Sequence, residues 1–350
     1  MPKNRLYTDN VTITDVAKRA GVAISTVSHV INGTAPISEK TTKKVLASIE
    51  ELNYSPNALA RAMRQKNTKL IGIILQDISS EFYARCISSM LKEARKDRYV
   101  LLVCDAAYDK EGMADEVKAL LERQVDGLIF IGGTNDDSII SDIKSKGLPL
   151  ILGDRTYDNV HSIEFNNRDT MYNLTCSLHK NGYNNFIYIG ENIDIQTNLK
   201  DRLHGFQDGI SQCGIESKNA TVLLRKELRE AKYEGGYNLF LNNKELFSTS
   251  SDKKTVVLTS NDMISQGILS GASKLGFDIP NDFSIIGFDN MLNAKYSHPP
   301  LTTVEQDVEQ LGIKCYQTMI SLILGKQQPI QKIIQQKIIV RDSALLKQNK

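Results

Sequence analysis

Apolar positions recur with a helical period in the first fifty residues of the chain. They lie three and four places apart in three short segments, which predicts three helices that each bury one face. Thr12 and Asp15 have the spacing of a capping box at the start of the first helix. Gly21 is predicted to end that helix, and Ser38 to cap the third. The predicted inward positions are Val16, Ala17, Ala20, Val27, Val30, Ile31, Val45, Leu46, Ile49 and Leu52.

The second helix, predicted over residues 24–31, follows a turn of three residues. Two short helices joined in this way form a helix-turn-helix, whose second helix enters the major groove of DNA. Small hydroxyls and an imidazole on its outer face would reach base edges and phosphates without steric bulk. The candidate DNA contacts on that face are Ser25, Thr26, Ser28 and His29.

A run of small residues with helical spacing, residues 57–64, follows the third predicted helix and Pro56. A helix of one or two turns is not stable alone in water. We therefore expect this run to become helical only on a partner surface.

Beyond Lys69 the pattern changes to buried apolar runs that alternate with amphipathic stretches. This alternation is typical of parallel sheets with helices on both faces, and the length of the segment favours two lobes with a cleft between them. The predicted strands are 70–75, 99–104, 125–131, 148–152, 185–189, 255–258 and 283–288. The predicted helices are 82–96, 111–123, 170–180 and 263–274.

Charge separates the two parts of the chain. Residues 1–68 hold ten Lys and Arg against five Asp and Glu, whereas the remainder holds 33 against 36. A basic head on an acidic body indicates that the head meets a polyanion. No apolar run is long enough to span a bilayer, and the five cysteines never form a C-x-x-C pair. We expect a soluble cytoplasmic protein without disulfides, metal or cofactor.

The head resembles the DNA-binding head of the LacI/GalR family of bacterial transcription regulators. The matching segments are VTITDVA at 11–17, AGV at 20–22, STVSHVIN at 25–32 and LNYSPN at 52–57. The resemblance implies a homodimer whose second helices read two half-sites of a pseudo-palindromic operator, and whose hinge helices enter the minor groove between them. Met63 stands where the family usually has a leucine wedge. The resemblance adds the DNA contacts Thr12, Ile24, Asn32, Asn57, Ala60, Met63 and Arg64.

The remainder of the chain also resembles this family, whose core is built like periplasmic sugar-binding proteins. The matching segments are IGII at 71–74, VDGLI at 125–129, GDR at 153–155, RLHGF at 202–206, SND at 260–262, IIGFD at 285–289 and PPLTTV at 299–304. Glu81 departs from the proline that many members have there. The expected domains are a head at 1–56, a hinge at 57–68 and an effector-binding core at 69–350. The resemblance places the first lobe at 69–167 and 298–326, and the second at 168–297 and 327–345.

A polyhydroxylated ligand needs bidentate acceptors, planar donors and an aromatic face that converge from strand ends. Arg202, Asn261 and Asp289 supply the polar groups from the second lobe, and each matches a ligand position of the family. The first lobe is expected to close the site with an aromatic ring and small polar groups. Its candidates are Ser79, Ser80, Phe82 and Asn166.

The function that follows is a repressor whose operator affinity is controlled by a small sugar or sugar derivative. An enzyme on the same scaffold is the rival hypothesis, but the motifs for nucleotide binding, nucleophilic serine and zinc are missing. An exported sugar-binding protein would have no use for residues 12–64. The chain leaves little room after Val340 for a tetramerising heptad helix, so a homodimer is expected. The alternatives left open are an inducer or a corepressor, and a phosphorylated carrier protein as co-regulator.

Overall fold

The computed structural model describes residues 11–32, 34–54, 67–106, 110–133, 136–192, 197–229, 231–247 and 254–346. The chain divides into two units between Thr68 and Lys69, a small helical head and an α/β core. None of the described helices is both long enough and apolar enough to cross a lipid bilayer.

The head consists of helices α1 (Ile13–Ala20), α2 (Ile24–Asn32) and α3 (Glu39–Glu51). The predicted capping box is confirmed, because the Thr12 amide donates to the Asp15 carboxylate at 2.8 Å and the Asp15 amide donates to the Thr12 hydroxyl at 3.4 Å. Gly21 ends α1 at a φ of 63°, in the left-handed region that favours glycine. The Ser38 hydroxyl accepts from the Thr41 amide at 3.3 Å and so caps α3.

The head encloses a small apolar core between its three helices. Its buried members are Val16, Ala17, Ala20, Val27 and Val45. The prediction that Leu46 packs inward is wrong, since this residue is 52% exposed. Successive helical residues are rotated by about 100°, so the buried face of α3 passes through Val45 and Ser48 instead. The Ser48 hydroxyl satisfies its burial by donating to the Lys44 carbonyl at 2.9 Å.

The first lobe of the core is a six-stranded parallel sheet with the order β11-β5-β4-β3-β1-β2. Its strands are β1 (Leu70–Leu75), β2 (Val100–Asp105), β3 (Gly127–Ile131), β4 (Leu150–Gly153), β5 (His161–Phe165) and β11 (Gln331–Ile334). Its helices are α4 (Glu81–Asp97), α5 (Lys110–Glu122), α6 (Asp137–Ser145) and α12 (Val308–Ile323). Helices α4 and α12 cover one face of the sheet so closely that a Cβ at Gly312 would collide with the Ser89 hydroxyl.

The second lobe repeats this architecture with the order β12-β10-β9-β8-β6-β7, in which only the edge strand β12 is antiparallel. Its strands are β6 (Asn185–Glu191), β7 (Ala220–Arg225), β8 (Thr255–Thr259), β9 (Ser284–Asp289), β10 (Thr302–Glu305) and β12 (Lys337–Ile339). Its helices are α7 (Asn167–Lys180), α8 (Thr197–Gln212), α9 (Lys232–Asn242), α10 (Asp262–Lys274) and the short α11 (Leu292–Tyr296). Single 3-10 turns lie at Ser217–Asn219, Lys226–Leu228 and Lys244–Leu246.

The crossings between the lobes differ from the predicted ones. The chain leaves the first lobe between β5 and α7, near the predicted crossing at Asn167. It returns only after β10, which pairs with β9 in the second lobe, so the predicted crossing at Ser297 is wrong. Strand β11 pairs with β5 in the first lobe, so the predicted crossing at Gln327 is also wrong. Strands of three or four residues carry too little local pattern to indicate which sheet they join.

Candidate functional site

Both sheets present the carboxyl ends of their strands to a cleft between the lobes. In each sheet the strand order reverses next to the first strand of that lobe, β1 in one and β6 in the other. Ligands of doubly wound folds bind outside the carboxyl ends of the strands at such a reversal. A cavity of about 540 Å³ lies there.

The lobes contribute unequally to the described lining of this cavity. The first lobe contributes Gln76, Ser80, Phe82, Tyr83 and Asp154. The second contributes Glu191, Asn198, Leu199, Arg202, Lys232, Ser260, Asn261, Met263, Asp289 and Met291. Gln306 joins them from the segment between β10 and α12.

Arg202 is the central cation of the cleft. It projects from α8, is only 3% exposed, and is held by several fixed contacts. Its Nε donates to Asn167 Oδ1 at 3.0 Å, and its Nη1 donates to the Ser260 carbonyl at 2.5 Å. The guanidinium stacks over the Phe288 ring at 3.9 Å from the centroid. These contacts fix the orientation of a planar donor before any ligand arrives.

Asp289 is the acceptor that faces Arg202. Its Oδ1 lies 3.9 Å from Arg202 Nη1 and accepts from Gln306 Nε2 at 2.5 Å. The backbone of Asp289 has a φ of 112°, a conformation that an L side chain rarely adopts and that costs about 1 to 3 kcal/mol. Such strain at the end of β9 is typical of a functional position. The structure thus brings together two of the predicted ligand residues.

Asn261, the third predicted ligand residue of the second lobe, uses its side chain for hydrogen bonds within the protein. Its Oδ1 caps α10 by accepting from the Ile264 amide at 3.0 Å, and its Nδ2 donates to Glu191 Oε1 at 2.9 Å. Glu191, which the sequence prediction missed, is the last residue of β6 and is 5% exposed. Its position at the carboxyl end of a buried strand is the signal that could have identified it.

In the first lobe the structure supports some predicted positions better than others. Phe82 and Ser80 line the cleft, and the Phe82 ring meets the Tyr83 ring edge to face at 5.2 Å. Ser79 is exposed and donates to Asp77 Oδ1, and it is outside the described lining. Asn166 is outside it too. The neighbouring Asn167 bonds Arg202 instead, because the first turn of α7 directs that side chain inward.

Burial changes the acidity of the cleft carboxyl groups. It raises the pKa of Asp154 to about 7, although Arg202 and a hydrogen bond from Asn198 oppose the rise. It raises the pKa of Glu191 to about 7 and that of Asp289 to about 6, in each case against the attraction of nearby cations. The charged forms of all three groups are therefore costly in this structure.

Two sets of hydrogen bonds join the lobes beside the cleft. The Glu81 carboxylate of α4 accepts from the Leu292 amide of the second lobe at 3.0 and 3.1 Å through its two oxygens. Asn198 of the second lobe donates to Asp154 Oδ2 of the first at 2.7 Å. The lobes are thus held against each other by groups that the sequence analysis did not single out for this role.

The outer face of α2 carries the predicted DNA contacts of the head. Ser25 is exposed, Ile24 is 43% exposed, and Thr26 and Ser28 are half-buried. His29 Nδ1 lies 2.8 Å from the Thr34 hydroxyl, which fixes the ring next to α2. Asn32 is the last residue of α2. Thr12 uses its side chain to cap α1, while Asn57, Ala60, Met63 and Arg64 lie outside the described residues.

Comparison with known proteins agrees with both units. A model of the lacI family of bacterial regulatory proteins matches residues 12–57, and one of a periplasmic binding protein-like domain matches residues 176–344. The HTH-type transcriptional regulator DegA of Bacillus subtilis (strain 168) is 32% identical over 340 residues, which cover 95% of this chain and 97% of DegA. The chain belongs to the lacI family. It is therefore a transcription regulator with a DNA-binding head, and not an enzyme.

Solved structures of this family share the fold. The lac repressor dimer bound to operator and the anti-inducer ONPF superimposes with a TM-score of 0.81 at 23% identity, over 96% of this chain and 99% of that one. The complex of the transcriptional regulator CelR with cellobiose superimposes with a TM-score of 0.68 at 22% identity, over 95% and 100%. These matches confirm the predicted fold class of a helical head followed by a core of two α/β lobes.

Proposed function

We propose that this lacI-family regulator is a cytoplasmic repressor that binds a pseudo-palindromic operator as a homodimer and responds to a small sugar-type effector in the cleft. The observation that carries the proposal is the pairing of the buried Arg202 of α8 with Asp289 at the carboxyl end of β9. A planar donor beside a bidentate acceptor suits the vicinal hydroxyls of a sugar. The operator-bound dimer and the cellobiose complex among its structural relatives support the same assignment.

The surface of α2 has the chemistry for reading bases. An exposed hydroxyl such as that of Ser25 can bond either a base edge or a phosphate, and the exposed Ile24 can contact a thymine methyl group. The basic head supplies the attraction to phosphates that is independent of sequence. Effector and operator would then be coupled through a free energy. The effector would change the affinity for the operator by a certain factor, and the operator would change the affinity for the effector by the same factor.

Electrophoretic mobility shift with the DNA upstream of candidate target genes tests both halves of the proposal. Wild-type protein should give a specific shift, and at least one sugar of a panel should change its midpoint. Asp289→Asn should still shift the operator but should need far more sugar, because it removes the charge that accepts the ligand hydroxyls. Asp208→Asn, a carboxylate on the outer face of α8, is the matched control and should respond normally.

A second set of mobility-shift experiments tests whether the head contacts operator bases. His29→Ala and Ser25→Ala should change which base substitutions the operator tolerates, by about 1 to 3 kcal/mol for each lost contact. Identical relative affinities for all operator variants would contradict a base contact from these positions. The absence of a specific shift with any upstream fragment would contradict the repressor assignment.

A further inference from the structure

The described lining of the cleft contains more carboxylates than cations. Asp154 comes from the first lobe, and Glu191 and Asp289 come from the second. Against these three acids stand Arg202 and Lys232. All five are ionisable groups inside one cavity of about 540 Å³. With every group charged, these five lining residues carry a net charge of −1.

Both cations of the lining are already held by protein groups. Arg202 donates to Asn167 and to the Ser260 carbonyl, and Lys232 Nζ donates to the Arg229 carbonyl at 3.0 Å. Their positive charge is therefore fixed in place within the lining, where Arg202 also attracts the Asp154 carboxylate of the first lobe. A further carboxylate must be balanced by something that enters the cleft, or must be protonated.

Asp154 shows the need for a donor most directly. Its Oδ2 accepts from Asn198, but its Oδ1 is buried and has no hydrogen-bond partner among the described residues. Asp154 is only 4% exposed, and its side chain lines the cleft. An unsatisfied buried acceptor costs free energy, the more so when it is charged. Burial also raises the pKa of Asp154 and that of Glu191.

We infer that the effector carries a protonated amine, and that it is an amino sugar selected by the carboxylates of Asp154 and Glu191. A neutral sugar could donate a hydroxyl to Asp154 Oδ1, but it would bring no positive charge to the carboxylates of the lining. An ammonium group both donates and supplies the missing positive charge, so its arrival favours the ionised carboxylates. This inference rests on the proposed sugar-type effector and names its chemical class.

Isothermal titration calorimetry on the full chain tests the inference. The probes are D-glucosamine, D-galactosamine and D-mannosamine, each measured beside its parent hexose and its N-acetyl derivative at pH 7 and constant ionic strength. At least one amino hexose should bind at least tenfold more tightly than both neutral counterparts. If no amino hexose binds more tightly than its parent hexose, the inference is overturned.

Glu191→Gln isolates the contribution of charge. The glutamine keeps an oxygen that can accept from Asn261, but it removes one negative charge from the cleft. The ratio of amino hexose to parent hexose affinity should fall about tenfold. Asp208→Asn is the control, since it removes the same charge from an exposed ion pair with Arg168, and it should leave the ratio unaltered. If Glu191→Gln does not fold, Asp154→Asn provides the same comparison.

The outcomes separate this inference from the proposed function. Tight binding of a neutral hexose with no preference for its amino form overturns the inference and supports the sugar-type effector. Failure of every sugar to bind, by a protein that still shifts its operator, overturns both the amine and the sugar-type effector. A Glu191→Gln ratio equal to the wild-type ratio overturns the selection by Glu191.

Discussion

The two lobes of the core have the same sheet order but contribute different chemistry to the cleft. The first lobe supplies an aromatic wall at Phe82 and Tyr83 and a single carboxylate, Asp154. The second supplies both cations and two of the three carboxylates of the described lining. The shared fold therefore fixes only where a site lies, and the side chains at the strand ends decide what it binds.

The second lobe also holds its polar groups in place more completely. Arg202 is fixed by Asn167 and Ser260, and Glu191 by Asn261. The first lobe touches this array through Asp154 and Glu81, whose partners lie across the cleft. The comparison suggests that the second lobe is the preorganised half of the site and that the first lobe closes on it.

The largest expected effect is the loss of the second-lobe cation. Arg202→Met would leave Asp289 and Glu191 buried without their nearest guanidinium and would remove the bond to the Ser260 carbonyl. Breaking a buried charge network in this way costs about 3 to 5 kcal/mol. Urea unfolding followed by circular dichroism should show that loss.

Arg168→Met is the control for this variant. Arg168 lies on α7 of the same lobe, but its ion pair with Asp208 is exposed to solvent. Its removal should leave the urea midpoint nearly unchanged. Equal losses in the two variants would contradict the idea that the second lobe is organised around Arg202.

The next effect concerns pH and involves carboxyl groups of both lobes. The folded pKa values of Asp154, Glu191 and Asp289, about 7, 7 and 6, exceed those of exposed carboxyl groups. The folded state thus binds more protons than the unfolded state between about pH 4 and pH 7, so stability falls as pH rises through this window. We expect the free energy of unfolding to fall throughout the range from pH 5 to pH 8, with contributions from all three groups.

Urea midpoints measured across this pH range test the prediction, and Glu191→Gln should flatten the slope. The exposed Asp208 contributes in the opposite sense, because its ion pair lowers its pKa and its contribution is lost only in stronger acid. Stability that rises steadily from pH 5 to pH 8 would show that the cleft carboxyl groups are not buried in their charged form.

A smaller effect is expected in the aromatic wall of the first lobe. Phe82 is 9% exposed and belongs to the apolar core between α4 and α12. Phe82→Leu should lower the free energy of unfolding by about 1 kcal/mol and weaken effector binding several-fold. The smaller side chain has less contact area with the apolar core and with a ligand in the cleft. Met263→Leu, a change of similar volume in the second-lobe lining, is the control and should affect binding less. Calorimetric titration measures the binding of both variants, and urea unfolding measures their stability.

The smallest expected effect lies at the bond between the lobes. Glu81→Gln keeps a side chain of the same size but weakens the hydrogen bond that Glu81 accepts from the Leu292 amide. The arrangement in which the two lobes are joined by this bond should therefore be less populated. Effector affinity should fall about threefold in the same titration. Glu309→Gln is the control, because among the described contacts Glu309 approaches Arg85 of its own lobe. A loss equal to that of Glu81→Gln would contradict a specific bond between the lobes.

Local patterns in the sequence predict much of the architecture. The predicted strand at 70–75 has the bounds observed for β1, and α10 begins one residue earlier than predicted. The capping box at Thr12 and the end of α1 at Gly21 are predictable because both depend on residues within one helical turn. The sequence analysis misses β5, β7 and the strands β10 to β12, since each is short or only partly apolar.

The candidate site is predictable only in part. Arg202 and Asp289 are found because each matches a ligand position of a known family pattern, and the structure places their side chains 3.9 Å apart. Glu191 and Asp154 are missed as ligand candidates because a carboxylate at a strand end has no local feature that shows which groups it will meet. The sequence favours Asn166 over Asn167 because it does not fix the rotation of α7 to within one residue.

The sequence by itself determined the family, the helical head and the alternation of strands and helices, because these depend on residue types at short and regular spacing. Only the tertiary structure decided which sheets the short strands β10 and β11 join, since that choice depends on hydrogen bonds between segments far apart in the chain. The excess of carboxylates over cations in the lining of the cleft also depends on the tertiary structure. It arises because five ionisable residues, from Asp154 to Asp289 along the chain, line one cavity.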